Sequence, residues 1–210
     1  MKKKKIIDIL KKTGGVITDS HIVLTSGRHS PSYLNKDALY PFTKEASYVG
    51  KLFAEKFKTK KIDVVAAPAL GGIVLSQWTA YHLSKIKKKN ILGIYTEKTP
   101  EKDQVFTRGY DKLVKGKNVL VIEDLTSTGA SVKKVVVSVK KAGGKVVGVG
   151  VMINRDPKNV NSKTLGFPFY PLEEFCVDSY EPEECPLCEK GVPVNTTVGH
   201  GKKFLKQKKS

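Results

Sequence analysis

The chain has 210 residues, 40% of them hydrophobic and 28% charged, and carries a formal net charge of +18. That length suits one α/β domain with a small accessory element, and no apolar run reaches the roughly 18 residues that a membrane-crossing helix requires. Three cysteines, Cys176, Cys185 and Cys188, are too few for a disulfide framework and odd in number, which points to a reducing, cytoplasmic setting.

Residues 3 to 12 have the spacing of a short amphipathic helix, and their basic start lacks the small-residue cleavage site of a secretory leader. HIVLTS (21 to 26) reads as a strand, and a helix is predicted from about Thr43 to Phe57. KIDVVAA (61 to 67), NILGIYT (90 to 96), KNVLVIE (117 to 123) and KVVGVGVMI (145 to 153) are β-branched runs. Helical stretches lie between two pairs of them, at roughly 72 to 86 and 129 to 141. This alternation predicts a parallel sheet with helices on both faces. Thr96 to Leu113 is polar, aperiodic and long for a connection, so it reads as a lid or a disordered loop. With no repeats and no Gly/Pro/Ser-rich linker, residues 1–210 form one domain: a core at about 41–166 beneath a hood from about 1–40 and 167–210.

The segment VLVIEDLTSTGA, Val119 to Ala130, carries the chemistry. Its apolar run fits a strand covered on both faces, whose carboxyl end is a ligand edge. Glu123 and Asp124 arrive at that edge, where adjacent acids repel unless hydroxyl groups or a metal share their charge. Thr126, Ser127, Thr128 and Gly129 then offer hydroxyls and backbone amides just before a helix near Ala130, a place for an anion. A diol beside a phosphate describes a ribose 5-phosphate. The blander alternative is a solvated turn followed by a Ser/Thr helix cap.

Arginine occurs only at Arg28, Arg108 and Arg155, against Lys almost everywhere else a cation stands. Such placement suggests planar forks for carboxylate or phosphate, although for Arg28 a surface turn explains the residue equally well. The lysine runs at residues 2 to 5, 85 to 89 and 202 to 209 read as solvated surface, and nucleic acid is not the expected partner. Cys185-Pro-Leu-Cys188 has the spacing of half a zinc site. Completing it requires residues such as Cys176 and His200, neither at a diagnostic spacing, so a reduced C-terminal turn is the preferred reading.

VLVIEDLTSTGAS resembles the phosphoribosyl pyrophosphate (PRPP) signature of type I phosphoribosyltransferases, and further segments resemble the orotate-specific members. These are LTSGRHSPSYLNK (24 to 36), APALGGI (67 to 73), YTEK with FTRGY (95 to 98 and 106 to 110), INRD (153 to 156) and the ending SYEPEECPLCEKGVPV. The resemblance implies the type I phosphoribosyltransferase fold. It also implies magnesium-dependent transfer of the phosphoribosyl group from PRPP to orotate, with the ion held mainly by PRPP rather than by the protein. In that reading Glu123 and Asp124 hold the ribose hydroxyls, and Leu125, Thr126, Ser127, Thr128, Gly129, Ala130 and Ser131 bind the 5′-phosphate. Ala69, Leu70, Gly71 and Gly72 meet the pyrophosphate, and Lys98, Lys102 and Arg108 on the lid neutralise it as it leaves. Ser26, Gly27, Arg28, Ser127 and Arg155 face orotate, with Arg155 forking its carboxylate. Because the family's lid completes the neighbouring subunit's site, a homodimer is implied.

Three positions depart from the family pattern: Gly71 and Thr25 stand where many members carry Lys, and the lid has no histidine. Two alternatives share the signature, a phosphoribosyltransferase for another base and a non-catalytic PRPP-binding regulator of nucleic acid.

Overall fold

The computed structural model describes residues 5–207. Residues 3 and 4 of the predicted first helix, and the lysines at 2 to 4, 208 and 209, lie outside the described residues.

The N-terminal part is built of small pieces: α1 (Ile6–Lys12), β1 (Val16–Ile17), β2 (Ile22–Val23), β3 (His29–Ser30) and β4 (Tyr33–Leu34), then a 3-10 turn at Lys36–Leu39. β1 pairs antiparallel with β4 and β2 with β3. The core follows with α2 (Thr43–Phe57), β5 (Val64–Pro68), α3 (Gly71–Lys87), β6 (Leu92–Lys98), β7 (Gln104–Val105), α4 (Tyr110–Val114), β8 (Asn118–Thr126), α5 (Ala130–Lys141) and β9 (Lys145–Asn154). It ends with α6 (Ser162–Leu165) and β10 (Phe169–Glu174), after which α7 (Pro186–Glu189) and α8 (Gly201–Gln207) lie in the C-terminal segment.

Six strands form the central sheet in the order β10-β9-β8-β5-β6-β7, all parallel except the antiparallel pairing of β7 with β6. Along β8 the side chains alternate between two cores. Leu120 and Ile122 join Phe53, Phe57, Leu75 and Leu83 from α2 and α3. Val119 and Val121 join Val132, Val135 and Val139 of α5 on the other face. This two-residue alternation, with apolar groups at every position, is what a doubly covered parallel strand requires. Gly150 in β9 makes room for α2: a Cβ there would stand 2.9 Å from Phe57 Cε2 and 3.0 Å from Phe53 Cδ1.

The expected parallel sheet with helices on both faces is present, and two expectations change. The stretch Thr96 to Leu113 is an ordered hairpin, β6 to β7, followed by α4. Thr96 Oγ1 donates to Gln104 Oε1 at 2.7 Å, Ser138 Oγ of α5 donates to the Gln104 carbonyl, and Lys134 Nζ donates to the Lys102 carbonyl at 2.6 Å. A two-residue strand has no periodicity to read; it is paired with β6 and tied down by these side chains of α5. Phe169–Glu174, which the sequence places in the hood, runs parallel to β9 as an edge strand of the sheet. Pro171 and the two terminal glutamates hide that strand from a β-branched pattern, and an edge position tolerates them.

Candidate active site

The chain leaves β5 toward β6 on one side of the sheet and later returns to place β8 on the other side of β5. The carboxyl ends of β5 and β8 therefore flank a topological switch point, the crevice where open α/β sheets take ligands. Two loops meet there: Ala69–Leu70, running from β5 into α3, and Ser127–Gly129, running from β8 into α5.

Glu123 and Asp124 occupy the last part of β8 and are only 6% and 4% exposed. Burial is the first cause that pushes the Glu123 carboxyl well above its ordinary range, and the neighbouring Asp124 charge adds to it. The pair is held by donors on every side. Lys36 Nζ and the Tyr40 hydroxyl each lie 2.8 Å from Asp124 Oδ2. The Leu125 amide donates to Asp124 Oδ1 at 2.6 Å, and the Asp124 amide donates to Glu123 Oε1 at 2.9 Å. Burial by itself lowers the Lys36 pKa, but the charge and hydrogen bond of Asp124, with help from Asp37, outweigh it and hold the ammonium above its usual value. Burial and the Asp124 charge push the Tyr40 phenol upward, so it remains a donor.

Lys36 and Tyr40 were not singled out as site residues from the sequence. They stand at the two ends of a 3-10 turn, Lys36 at its start and Tyr40 just after its end, and only folding sets that turn against β8 so that both reach Asp124.

The β8–α5 loop divides its residues by burial. Thr126 and Gly129 are buried, and Thr126 Oγ1 accepts from the Gly129 amide at 2.9 Å, closing the turn. Gly129 has φ +73°, and a Cβ there would collide with Leu165. Ser127, Thr128, Ala130 and Ser131 are exposed, so the hydroxyls of Ser127, Thr128 and Ser131 lie at the surface beside the N-terminus of α5, a place chemically suited to an anion. The β5–α3 loop has a cis peptide at Ala69–Leu70, and Leu70 is 83% exposed. Gly71 and Gly72 are buried; a Cβ on Gly71 would overlap Asp124 Oδ2 and the Tyr40 hydroxyl. A lysine at position 71 has no room beside this acid pair, while Lys36 brings a cation to it from another element.

The three arginines separate clearly. Arg28 ties the N-terminal hairpin to the C-terminal segment: it binds Ser179 Oγ through Nε at 2.9 Å, the Ser179 carbonyl through a terminal nitrogen, and the Glu181 carboxylate. Its neighbours Ser26 and Gly27 line a surface hollow shared with His200, Lys203 and Phe204. Arg108 is exposed on the hairpin side and pairs with Glu97 at 2.8 Å, a contact that holds the Glu97 carboxyl below its usual range. Arg155 follows β9, its amide donating to the Thr126 carbonyl at 2.9 Å. Its guanidinium is half-buried near Tyr33, has its pKa lowered by burial, and meets no acidic partner among the described residues. Lys98 and Lys102 are exposed on the β6–β7 hairpin.

A family model for the phosphoribosyl transferase domain matches residues 35–166. An orotate phosphoribosyltransferase of Caldanaerobacter subterraneus subsp. tengcongensis is 36% identical over 196 residues, covering 92% of this chain and 96% of that relative. One from Thermoanaerobacter sp. (strain X514) is 38% identical over 194 residues, covering 92% of this chain and 96% of that relative. In structure, the chain is similar to the orotate phosphoribosyltransferase of Mycobacterium tuberculosis, with a TM-score of 0.64 at 19% identity over 80% of this chain and 95% of that one.

Proposed function

The chain belongs to the orotate phosphoribosyltransferases of the phosphoribosyltransferase family, and from that membership we propose how its own residues carry the reaction. The reaction is transfer of the 5-phosphoribosyl group from PRPP to the ring nitrogen of orotate, giving orotidine 5′-monophosphate and pyrophosphate.

The observation that carries this reading is the buried acid pair beside an open amide and hydroxyl cradle, at the switch point between β5 and β8. Bond cleavage at the anomeric carbon develops positive charge, as in glycoside hydrolysis, and no protein nucleophile is required. Glu123 and Asp124 bind the ribose hydroxyls and place negative charge beside that carbon; Lys36 and Tyr40 hold Asp124 in position before substrate arrives. Leu125 to Ser131 receive the 5′-phosphate, and the amides of Ala69 to Gly72 receive pyrophosphate.

Both carboxylates are oxygen donors of the kind magnesium accepts, but ammonium, phenol and backbone amides already claim much of their capacity. When bound, magnesium would rest mainly on PRPP rather than on Glu123 and Asp124, and the chemistry it would supply is charge neutralisation for the leaving pyrophosphate.

Arg155 forks the orotate carboxylate, the one anion that pays for leaving a half-buried guanidinium without an acid of its own. Ser26, Gly27 and Ser127 complete the base side, whereas Arg28 acts by fixing their hairpin to Ser179 and Glu181. Lys98, Lys102 and Arg108 serve a partner subunit's site in a homodimer, with Arg108 exchanging Glu97 for pyrophosphate. The setting is cytoplasmic, with residues 1–40 and the segment after β10 acting as the hood.

The test is loss of orotate absorbance in the presence of PRPP and magnesium, compared with adenine, hypoxanthine and uracil, for the wild type and Arg155→Ala. Turnover of orotate alone, with kcat/KM falling about 100-fold in the variant, is expected from the loss of a buried charge partner worth about 3 kcal/mol. Equal turnover of orotate by Arg155→Ala would remove Arg155 from the base site.

A further inference from the structure

The half-site Cys185-x-x-Cys188 meets two histidines that the sequence does not place near it. His21 lies just ahead of β2, His29 begins β3, and both cysteines lie in the tight turn around α7. One ligand-capable atom from each of the four residues falls within 4.8 Å of all the others. His21 Nε2 stands 2.9 Å from His29 Nδ1, 3.8 Å from Cys185 Sγ and 3.7 Å from Cys188 Sγ; Cys188 Sγ stands 3.3 Å from His29 Nδ1. We propose that His21, His29, Cys185 and Cys188 form a structural zinc site that locks the N-terminal hairpin to the C-terminal segment.

Three observations support it. First, the separations are close to those a metal needs: zinc bonds of about 2.3 Å to sulfur and 2.0–2.1 Å to nitrogen in a tetrahedron imply ligand-to-ligand distances of roughly 3.3–3.8 Å, which the three nitrogen–sulfur separations meet, while the two imidazole nitrogens at 2.9 Å have to part by a few tenths of an ångström. Second, the orientation of one ligand is settled. His21 Nδ1 lies 2.7 Å from the Val192 carbonyl, which can only accept, so Nδ1 carries the proton and the Nε2 lone pair points into the cluster. Third, the donor set is two imidazoles and two thiols with no carboxylate, the composition of closed structural zinc sites rather than of magnesium or calcium sites. His21, His29 and Cys185 are buried, and four protein ligands leave no position open for substrate. Cys176 and His200, the completing ligands considered from sequence, are not used. Cys176 is exposed, and His200 Nε2 lies 3.2 Å from Thr25 Oγ1.

The backbone around the cluster is already clamped. The amide of each of His29 and Tyr180 donates to the other's carbonyl at 2.8 Å, and the Asn195 and His200 amides donate to the His21 and Val23 carbonyls at 2.8 Å. Gly191, at φ +65°, sends its amide to the Cys188 carbonyl at 3.0 Å and closes the cysteine turn. Zinc adds to these hydrogen bonds a crosslink between residues 156 to 167 positions apart in the chain.

The test is the metal content of the purified full-length chain, measured by mass spectrometry, for the wild type, Cys176→Ser and Cys185→Ser/Cys188→Ser. About one zinc per chain is expected in the wild type and in Cys176→Ser, with loss in the double variant. Should the double variant not fold, the wild-type chain grown with cobalt must show visible bands of tetrahedral intensity and a thiolate-to-cobalt charge-transfer band. Absence of bound zinc together with absence of those bands, zinc retained without both cysteines, or a Cys185–Cys188 disulfide in the isolated protein each overturns the proposal. None of these readouts depends on catalysis, so they stand apart from the assignment of the reaction.

Discussion

The crevice at the end of β8 and the cluster between the N-terminal hairpin and the C-terminal segment both gather chemistry-bearing side chains, by opposite means. In the crevice, Glu123 through Ser131 are consecutive, and a strand buried in both cores fixes where they point. In the second cluster, His21 and His29 come from one end of the chain and Cys185 and Cys188 from the other, held by two-residue strands, single bridges and scattered backbone hydrogen bonds rather than by a long strand in a sheet. A site made from one segment on a packed sheet inherits the rigidity of the core. A site made from the chain ends needs its own fastening, and Arg28, bound to Ser179, supplies one such clamp.

That contrast breaks most sharply at Asp124. Asp124→Asn removes the charge that Lys36 and Tyr40 hold in place, and kcat/KM is expected to fall by about 10²–10³, the scale of losing one aimed electrostatic contact. Steady-state kinetics check the loss, and zinc content should not change; a parallel loss of metal would show that the two regions are coupled. Arg155→Lys keeps a positive charge and removes the fork, so the KM for orotate should rise about tenfold while kcat changes little. Kinetics with orotate varied at saturating PRPP read this split.

Glu123→Gln tests a conflict between stability and function. Its carboxyl is raised in the folded protein, so the stabilising contribution is present below the ordinary value of 4.5 and is lost as pH climbs through the raised value. The variant should be slower yet melt higher at pH 8, by about 2–4 °C for each kcal/mol relieved, and its melting temperature should depend less on pH. Melting curves between pH 5 and pH 8 decide it. The smallest effect belongs to Asp63, at the opposite end of the sheet. Its hydrogen bonds from Lys89 and the Asn118 amide hold its carboxyl at about 2, against an ordinary 3.8. Its contribution is present above 3.8 and lost as pH falls through about 2, so Asp63→Asn should cost about 0.5 kcal/mol at neutral pH in chemical denaturation and leave kcat/KM unchanged.

Legibility followed the same division. The helix at Thr43–Phe57 and the strands β5, β6, β8 and β9 stood out because long, apolar, β-branched or periodic runs report burial directly. Strands β7 and β10 did not, because one is two residues long and the other is an edge that carries Pro171 and two glutamates. Within the site, the acid pair and its loop were visible as a contiguous motif. Lys36 and Tyr40 were not, since nothing local says that a 3-10 turn will fold against β8. The arginines were visible as a set, but which of them faces an acid and which does not depends on neighbours far away in sequence.

By itself, then, the amino-acid order determined the alternation of strands and helices, the family, and a ligand loop whose residues adjoin one another. These properties follow from hydrophobic periodicity and nearest-neighbour chemistry, which a linear text contains in full. Tertiary structure alone decided that Lys36 and Tyr40 steady Asp124, that Gly71 has no room for a side chain, that Arg28 ties the N-terminal hairpin to Ser179 and Glu181 while Arg155 has no acidic partner among the described residues, and that two histidines stand beside a pair of cysteines. Each of those is a meeting of groups from distant segments, and its existence depends on how packing closes the loops between them.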